Sequence, residues 1–93
     1  MPQMTISEIR RLIRTLAYVV TSHAADELDD DKLNILDLES VVLTGRIIAF
    51  QRDRVTREVK HVIQGTTLAG DAAEVVVKQG RGGKLVVITV YLC

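Results

Sequence analysis

Residues 84–92 read Lys84-Leu85-Val86-Val87-Ile88-Thr89-Val90-Tyr91-Leu92, an almost continuously apolar run that is rich in β-branched side chains. Such residues favour strands, and a strand without polar alternation is typical of the interior of a sheet. We therefore expect a central strand with both faces covered. The segment Gly80-Arg81-Gly82-Gly83 predicts a hairpin turn before this strand. The turn joins it to an antiparallel neighbour over residues 73–78.

Two further strands are predicted upstream, over residues 46–51 and 57–64, with a polar turn between them. Successive side chains of a strand point to opposite faces, so Val59, His61 and Ile63 share one face of the second of these strands. Consecutive strands with short connections pair antiparallel. The last strand, over residues 84–92, completes a predicted antiparallel sheet of four strands.

The N-terminal half of the chain has helical instead of alternating periodicity. Thr5-Ile6-Ser7-Glu8 has the pattern of a capping box, and Ser22 and Asn34 are candidate N-caps of two later helices. The segment Tyr18-Val19-Val20-Thr21 has the composition of an extended segment. The predicted helices cover residues 6–17, 23–30 and 35–44.

Together these elements predict an α+β fold, a single domain over residues 1–93 with N-terminal helices packed on one face of a four-stranded antiparallel sheet. The chain has 93 residues and 47% of them are hydrophobic, enough to fill a core without disulfides or metal. Cys93 is the single cysteine, and neither a signal peptide nor an apolar run of ~20 residues is present, so we expect a cytoplasmic protein without a membrane span. No zinc-site spacing and no phosphate-loop motif occurs, so we expect no metal and no cofactor.

The net charge of zero is a balance between 12 basic and 12 acidic side chains that lie in different blocks. Residues 23–45 sum to −6, whereas residues 1–22, 46–60 and 61–93 sum to +2, +3 and +1. A concentrated basic block predicts a face for a polyanion or for an acidic partner. The alternative is that the helix and sheet surfaces pair their charges internally.

Four segments, in this order along the chain, resemble the motifs of one family. Residues 21–28 resemble its opening "S-x-H-A-x-x-R-M" helix, and residues 33–48 resemble its "G-I-S-x-x-D-I-E … x-G-x-I-I" segment. His61-Val62-Ile63-Gln64-Gly65 stands where the family has "Y-L-V-x-G", and residues 85–91 match its closing "V-x-V-I-T-V-Y" strand. The family is domain-of-unknown-function 4258, and the resemblance covers about residues 18–92.

This family is similar to the RelE/ParE-type toxins of bacterial toxin–antitoxin modules, many of which cleave RNA. The resemblance implies a RelE/barnase-like toxin fold and a partner protein, a small antitoxin of the zinc-finger or helix-turn-helix type. It maps the family's histidine onto His23 and its tyrosine onto Tyr91. The arginine of the family's second helix does not carry over, because Asp26-Glu27 stands there.

RNA cleavage through attack of a 2′-hydroxyl needs a base, an acid and cations, but no metal. Histidine suits the base or acid role near neutral pH, and arginine and lysine bind phosphate. The catalytic candidates are His23, Tyr91 and His61. The candidates for binding RNA phosphate are Arg46, Arg57 and Lys60. Each has a structural alternative, as a packed or capping histidine, an aromatic core residue or an ordinary charged sheet surface.

The leading hypothesis is a toxin-like component of a type II toxin–antitoxin module that acts as a metal-independent endoribonuclease. In this hypothesis His23 and Tyr91 form the proton-transfer pair. The alternative is a non-catalytic protein-interaction module, or a homodimer of the same fold, in which the histidines are structural. Arginines on the strand over residues 46–51 argue against edge-to-edge pairing of two copies.

Overall fold

A computed structural model of the chain describes residues 3–93, so the first two residues of the expected 1–93 domain lie outside it. Within residues 3–93 three α-helices and five β-strands are present, which confirms the α+β class. In chain order they are α1 (Ile6–Arg14), β1 (Tyr18–Val20), α2 (Ser22–Asp30), α3 (Ile35–Thr44), β2 (Arg46–Arg52), β3 (Val59–Thr66), β4 (Ala72–Gln79) and β5 (Leu85–Leu92).

Two of the helices begin with reciprocal capping. At the start of α1, the Thr5 hydroxyl oxygen accepts the Glu8 backbone N–H at 3.1 Å, and the Glu8 carboxylate accepts the Thr5 N–H at 3.0 Å. Asn34 and Asp37 make the same exchange at the start of α3. Capping of this kind satisfies N–H groups that have no partner inside the helix. The short-range pattern of the sequence therefore determines where α1 and α3 begin.

The bounds of α1 and α2 differ from the expected ones for local reasons. Helix α1 ends at Arg14 because Leu16 has a φ of +59°, which a right-handed helix cannot continue. Helix α2 starts at Ser22 because Thr21, and not Ser22, is its N-cap. The Thr21 hydroxyl oxygen accepts the backbone N–H of Ala24 at 3.1 Å.

The sheet has five strands in the order β1-β5-β4-β3-β2, one more than the sequence predicted. Strands β2, β3, β4 and β5 pair antiparallel, as expected. The additional strand is β1, which pairs parallel with β5 and places Tyr18 beside Leu85, so the sheet is mixed. Three residues are too few to show an alternation, so the pattern indicated an extended segment but not a strand with a partner.

Strand β5 lies inside the sheet, between β1 and β4, as its apolar sequence predicted. Only one of its faces is fully covered: Leu85, Val87 and Val90 are buried under the helices, while Tyr91 on the other face is 38% exposed. The expectation that both faces are covered was therefore wrong. The bulge between β4 and β5 explains part of the misleading pattern, because an inserted residue breaks the strict alternation.

All three helices contribute to one core on one face of the sheet. The buried residues of this core are apolar and come from both layers. They are Met4, Ile9, Leu12, Ile13, Ala24, Leu28, Leu38, Val41, Val42, Ile63, Ala73, Val75, Val77, Leu85, Val87 and Val90. The opposite face, which we call the open sheet face, carries no helix in the described chain.

Helix α3 approaches the sheet so closely that only glycine fits beneath its last turn. A Cβ atom added to Gly65 on β3 would lie 2.0 Å from the carbonyl oxygen of Val41, and one added to Gly45 would lie 2.4 Å from the same oxygen. Real Cβ atoms do not come this near to a backbone oxygen. The two glycines thus fix how α3 sits on the sheet, and with it the point where β2 begins.

Candidate functional site

The open sheet face is built from three cross-strand rows of side chains. The register of the four antiparallel strands places a polar row at one end, an apolar row in the middle and a basic row at the other end. The polar row is Arg46, Gln64, Glu74 and Tyr91. The apolar row is Ala49, Val62, Val76 and Thr89. The basic row is Gln51, Lys60, Lys78 and Val86.

Glu74 is the centre of the polar row. Its carboxylate accepts a hydrogen bond from the Tyr91 hydroxyl and another from the Gln64 side-chain amide at 3.3 Å. The Cys93 thiol also lies 3.8 Å from a Glu74 oxygen. The bond to Glu74, with some desolvation, raises the pKa of Tyr91 to about 12. Tyr91 therefore keeps its proton at neutral pH and is a hydrogen donor on an accessible surface.

His23 lies in the first turn of α2, with 68% of its side chain exposed. Its Nε2 atom is 3.4 Å from Oε1 of Glu27, one helical turn further along. The same Glu27 oxygen accepts the backbone N–H of Val90 at 3.0 Å, and the Glu27 charge contributes to the raised pKa of Tyr91. His23 and Tyr91 make no direct hydrogen bond within residues 3–93. Glu27 contacts both the His23 imidazole and the backbone of Val90, the residue before Tyr91.

Helix α2 covers the edge of β5 beyond the end of β1. In addition to the bond between Glu27 and Val90, an Asp31 carboxylate oxygen accepts the backbone N–H of Leu92 at 3.3 Å. Glu27 falls on the position where the family motif quoted above has arginine. A carboxylate at this position satisfies a strand N–H, which a guanidinium could not do.

His61 lies on the helix-covered face of the sheet and is fully buried, at 0% exposure. Its Nε2 atom accepts the backbone N–H of Met4 at 2.9 Å, and its ring meets Phe50 edge to face at 5.1 Å between centroids. Its Nδ1 atom has no hydrogen-bond partner among the described residues. Burial lowers the pKa of His61, although the neighbouring backbone of Val59 and Val77 opposes this in part. The sheet thus separates His61 from Tyr91, which lies on the open sheet face.

The phosphate-binding candidates are divided between the two ends of the sheet. Arg46 belongs to the polar row, beside Gln64, whereas Lys60 belongs to the basic row. Arg57 lies in the exposed turn between β2 and β3, with a φ of +65°. The structure therefore places Arg46 in the same row as Tyr91 but three strands away from it, roughly 14 Å at the usual strand spacing. Lys60 lies about 13 Å further along β3 at the usual rise per strand residue.

The two hairpin turns at the Lys60 end form a surface that we call the basic end. It holds seven cations against two acids, Asp53 and Glu58, a net charge of +5. The Asp53 carboxylate accepts hydrogen bonds from the backbone N–H groups of Thr56 and Val55, which lower its pKa. Glu58 forms a salt bridge with Lys78 at 2.9 Å. The cations are Arg52, Arg54, Arg57, Lys60, Lys78, Arg81 and Lys84.

Six of these seven cations have no salt-bridge partner within the described chain. A cavity of about 440 Å³ opens between the two turns, lined by Glu58, Lys78, Gln79, Gly80, Arg81 and Val86. At the opposite end of the sheet, the carboxylate of Asp31, the C-cap of α2, accepts the backbone N–H of Leu92, and Arg46 begins β2. The cations of the basic end are therefore not paired in salt bridges with the acidic helical region.

Glu27 and Glu74 are the two site residues that the sequence did not predict. The spacing of His23 and Glu27, four residues apart on a helix, was the available signal for the first. Glu74 has no such signal, because its contact with Tyr91 depends on the register between β4 and β5.

The described residues limit the chemistry further. Within residues 3–93 no group of three or more His, Cys, Asp or Glu side chains is arranged to hold a metal ion. None of the helices in this part of the chain has both the length and the apolar character needed to cross a membrane.

Comparisons with known proteins give one match. The family model described as Domain of unknown function (DUF4258) matches residues 20–92, which include α2, α3 and the four antiparallel strands. Neither the curated proteins nor the solved structures contain a significant match to the chain. Because the family model covers well over half of the sequence, from the end of β1 to the end of β5, the chain belongs to the DUF4258 family.

Proposed function

We propose that the chain is a toxin-like component of a type II toxin–antitoxin module, a metal-independent endoribonuclease of the RelE/ParE type that acts in the cytoplasm. The observation that carries the proposal is the open sheet face. One end of this face holds Tyr91 and Glu74, with the His23–Glu27 pair of α2 at the adjoining edge of β5, and the other end holds cations without acidic partners. A single RNA strand lying along the face would meet both.

The basic end supplies the binding energy in this proposal. Lys60, Arg57 and Arg81 are free to neutralise phosphates, and arginine can do so with two parallel hydrogen bonds. Arg46 stands in the same row as Tyr91, three strands away, and would hold a neighbouring phosphate of the bound RNA. The described chain offers few aromatic platforms for stacked bases, so binding should depend on phosphate contacts and therefore on salt.

Tyr91 of the polar row and His23 of α2 supply the proton transfers. His23 takes the proton of the 2′-hydroxyl, and O2′ attacks phosphorus as the bond from phosphorus to O5′ breaks. Tyr91, which holds its proton at neutral pH, donates it to O5′. The products are a 2′,3′-cyclic phosphate and a free 5′-hydroxyl. Glu27 orients the His23 imidazole and Glu74 orients the Tyr91 hydroxyl, so the two unpredicted residues act as positioning residues.

The test combines binding, cleavage and growth. We expect the purified chain to bind single-stranded RNA less tightly as salt increases, and to leave cyclic phosphate ends without added metal. His23→Gln and Tyr91→Phe should keep binding and lose cleavage, whereas Lys60→Gln with Arg81→Gln should lose binding. Lys32→Gln, a cation of the acidic helical region, is the matched control and should change neither.

Induced expression in a bacterial host should arrest growth, and co-expression of the antitoxin partner should relieve the arrest. Growth without arrest, together with intact RNA in the cleavage assay, would overturn the nuclease proposal. Arrest that persists unchanged in both His23→Gln and Tyr91→Phe would remove the proposed proton-transfer pair. The alternative, a non-catalytic interaction module, predicts RNA that remains intact and a partner that binds in spite of both substitutions.

A further inference from the structure

The two edges of the sheet differ in how their backbone groups are satisfied. At the β5 edge, β1 is followed by α2, whose Glu27 and Asp31 carboxylates accept the N–H groups of Val90 and Leu92. At the other edge, β2 pairs with β3 alone within residues 3–93. The outer side of β2 therefore presents a row of backbone donors and acceptors to solvent.

Strand β2 also exposes apolar side chains along this edge. Six of its seven residues are exposed, and Ile48 and Phe50 are 42% and 50% accessible. Val55, in the turn that continues the edge, is 90% accessible. An exposed strand edge with large apolar residues is a template for pairing with another chain. A bulge between Ile47 and Ala49 twists the strand locally but leaves the edge open.

The charges on β2 select the kind of strand that it can accept. Arg46 and Arg52 lie at its two ends, and neither has a salt-bridge partner in the described chain. The bulge between Ile47 and Ala49 sets Arg46 on the open sheet face and Arg52 on the helix-covered face, because their partners on β3 are Gln64 and Val59. Strand β2 holds no acidic residue, so a second copy would add only positive charge, whereas an acidic strand would pair with both arginines.

From this arrangement we propose that β2 binds an extended acidic segment of a partner protein by strand addition. Its two carboxylates lie on opposite faces of the added strand, one beside Arg46 and one beside Arg52, roughly 17 Å apart like their partners Gln64 and Val59 on β3. Apolar residues between them lie beside Ile48 and Phe50. Main-chain hydrogen bonds supply the affinity and the arginines supply the selectivity. The inference holds whether or not the chain cleaves RNA, because it concerns the strand edge and not the proton-transfer pair.

The probe is a fluorescent capped peptide of sequence EVTVTE, whose two glutamates point to opposite faces of a strand, measured by anisotropy against the full chain without RNA. We expect it to bind and to slow amide exchange within residues 47–51. The peptide KVTVTK should bind much more weakly. A version of EVTVTE with alternate backbone amides methylated should not bind, since it keeps every side chain but cannot complete a strand ladder.

A charge swap on β2 tests whether the two arginines select the peptide. Arg46→Glu with Arg52→Glu should weaken binding of EVTVTE by about tenfold or more and should transfer the preference to KVTVTK. Arg11→Glu with Arg14→Glu, exposed on α1, changes the net charge equally and should leave binding unchanged. Equal binding of the methylated peptide, indifference to the β2 swap, dimerisation through β2, or a short RNA that protects the same amides in place of the peptide would each overturn the inference. Loss of peptide binding would not bear on RNA cleavage, which the cleavage assay measures separately.

Discussion

The backbone N–H of Met4 donates a hydrogen bond of 2.9 Å to Nε2 of His61, a fully buried histidine far along the chain on β3. Because Nε2 accepts this bond, the imidazole is neutral with its proton on Nδ1. Protonation of Nε2 would remove the acceptor and place a charge in the core. The hydrogen bond that anchors Met4, just before α1, therefore requires His61 to stay uncharged.

Acidification is therefore expected to destabilise the fold through His61. Burial lowers the pKa of His61 in the folded state, so the unfolded chain binds more protons once the pH falls below the ordinary value of 6.5. The contribution of neutral His61 to the free energy of unfolding is complete above that pH. Below it the free energy of unfolding falls by at most about 1.4 kcal/mol per pH unit. Urea unfolding measured from neutral to mildly acidic pH will show how steeply the free energy of unfolding falls with pH.

His61→Gln is the decisive variant for this pH dependence. The glutamine side-chain oxygen can accept the Met4 N–H and carries no charge, so the unfolding free energy should fall less steeply below pH 6.5. His23→Gln removes the exposed histidine and should keep the wild-type slope. A wild-type slope in His61→Gln would show that other groups cause the acid sensitivity.

The carboxylates of α2 should matter more than their exposed neighbours. Glu27→Ala leaves the N–H of the buried Val90 without its acceptor, which should cost about 1–3 kcal/mol. Asp26→Ala, exposed on the same helix, should change the unfolding free energy by less than about 0.5 kcal/mol. Denaturant unfolding gives both values, and faster amide exchange at Val90 should accompany the first substitution alone.

Gly65→Ala should be among the most damaging small substitutions in the chain. Its methyl group would overlap the Val41 carbonyl oxygen and force α3 away from β3, at about 3 kcal/mol or more. Gly82→Ala is the control, because it has open space around it and only its φ of +68° to strain, which costs about 1 kcal/mol. Equal losses of thermal stability would mean that α3 does not press on Gly65.

The bond between Tyr91 and Glu74 should be visible in an alkaline titration. Tyr91 should ionise at a pKa of about 12, and Glu74→Gln should bring that ionisation down towards the ordinary value of 10. The ultraviolet absorbance of the phenolate follows it, and Tyr91→Phe identifies the step. Glu39→Gln should affect Tyr18 instead, since Glu39 accepts the Tyr18 hydroxyl and helps burial to raise its pKa. An unchanged curve in Glu74→Gln would show that the bond is absent in solution.

Local signals predicted much of this fold because the contacts they describe are local. The capping pairs Thr5–Glu8 and Asn34–Asp37 each span three residues, and both are present. The alternation that placed His61 with Ile63 also holds, since both side chains lie on the covered face. Such features depend on residues that are close together in the sequence, so a local pattern can predict them.

The features that the sequence left open depend on distant partners. Tyr18 pairs with Leu85 only because β5 returns to that edge, and three residues of β1 carry no information about which strand they meet. Tyr91 was proposed from its place at the end of the last strand, but its partner Glu74 follows from strand register. His61 was a candidate by residue type alone, and only the structure shows that Met4 covers it.

The division of charge between the basic end and the acidic side of α2 has a consequence for the molecule in solution. A chain with no net charge but with opposite charges at its two ends has a large electric moment. It will turn its basic end towards any polyanion before contact, at distances up to the Debye length of about 8 Å at physiological salt. Near neutral pH such molecules also attract one another head to tail, so added salt should raise the solubility of this protein.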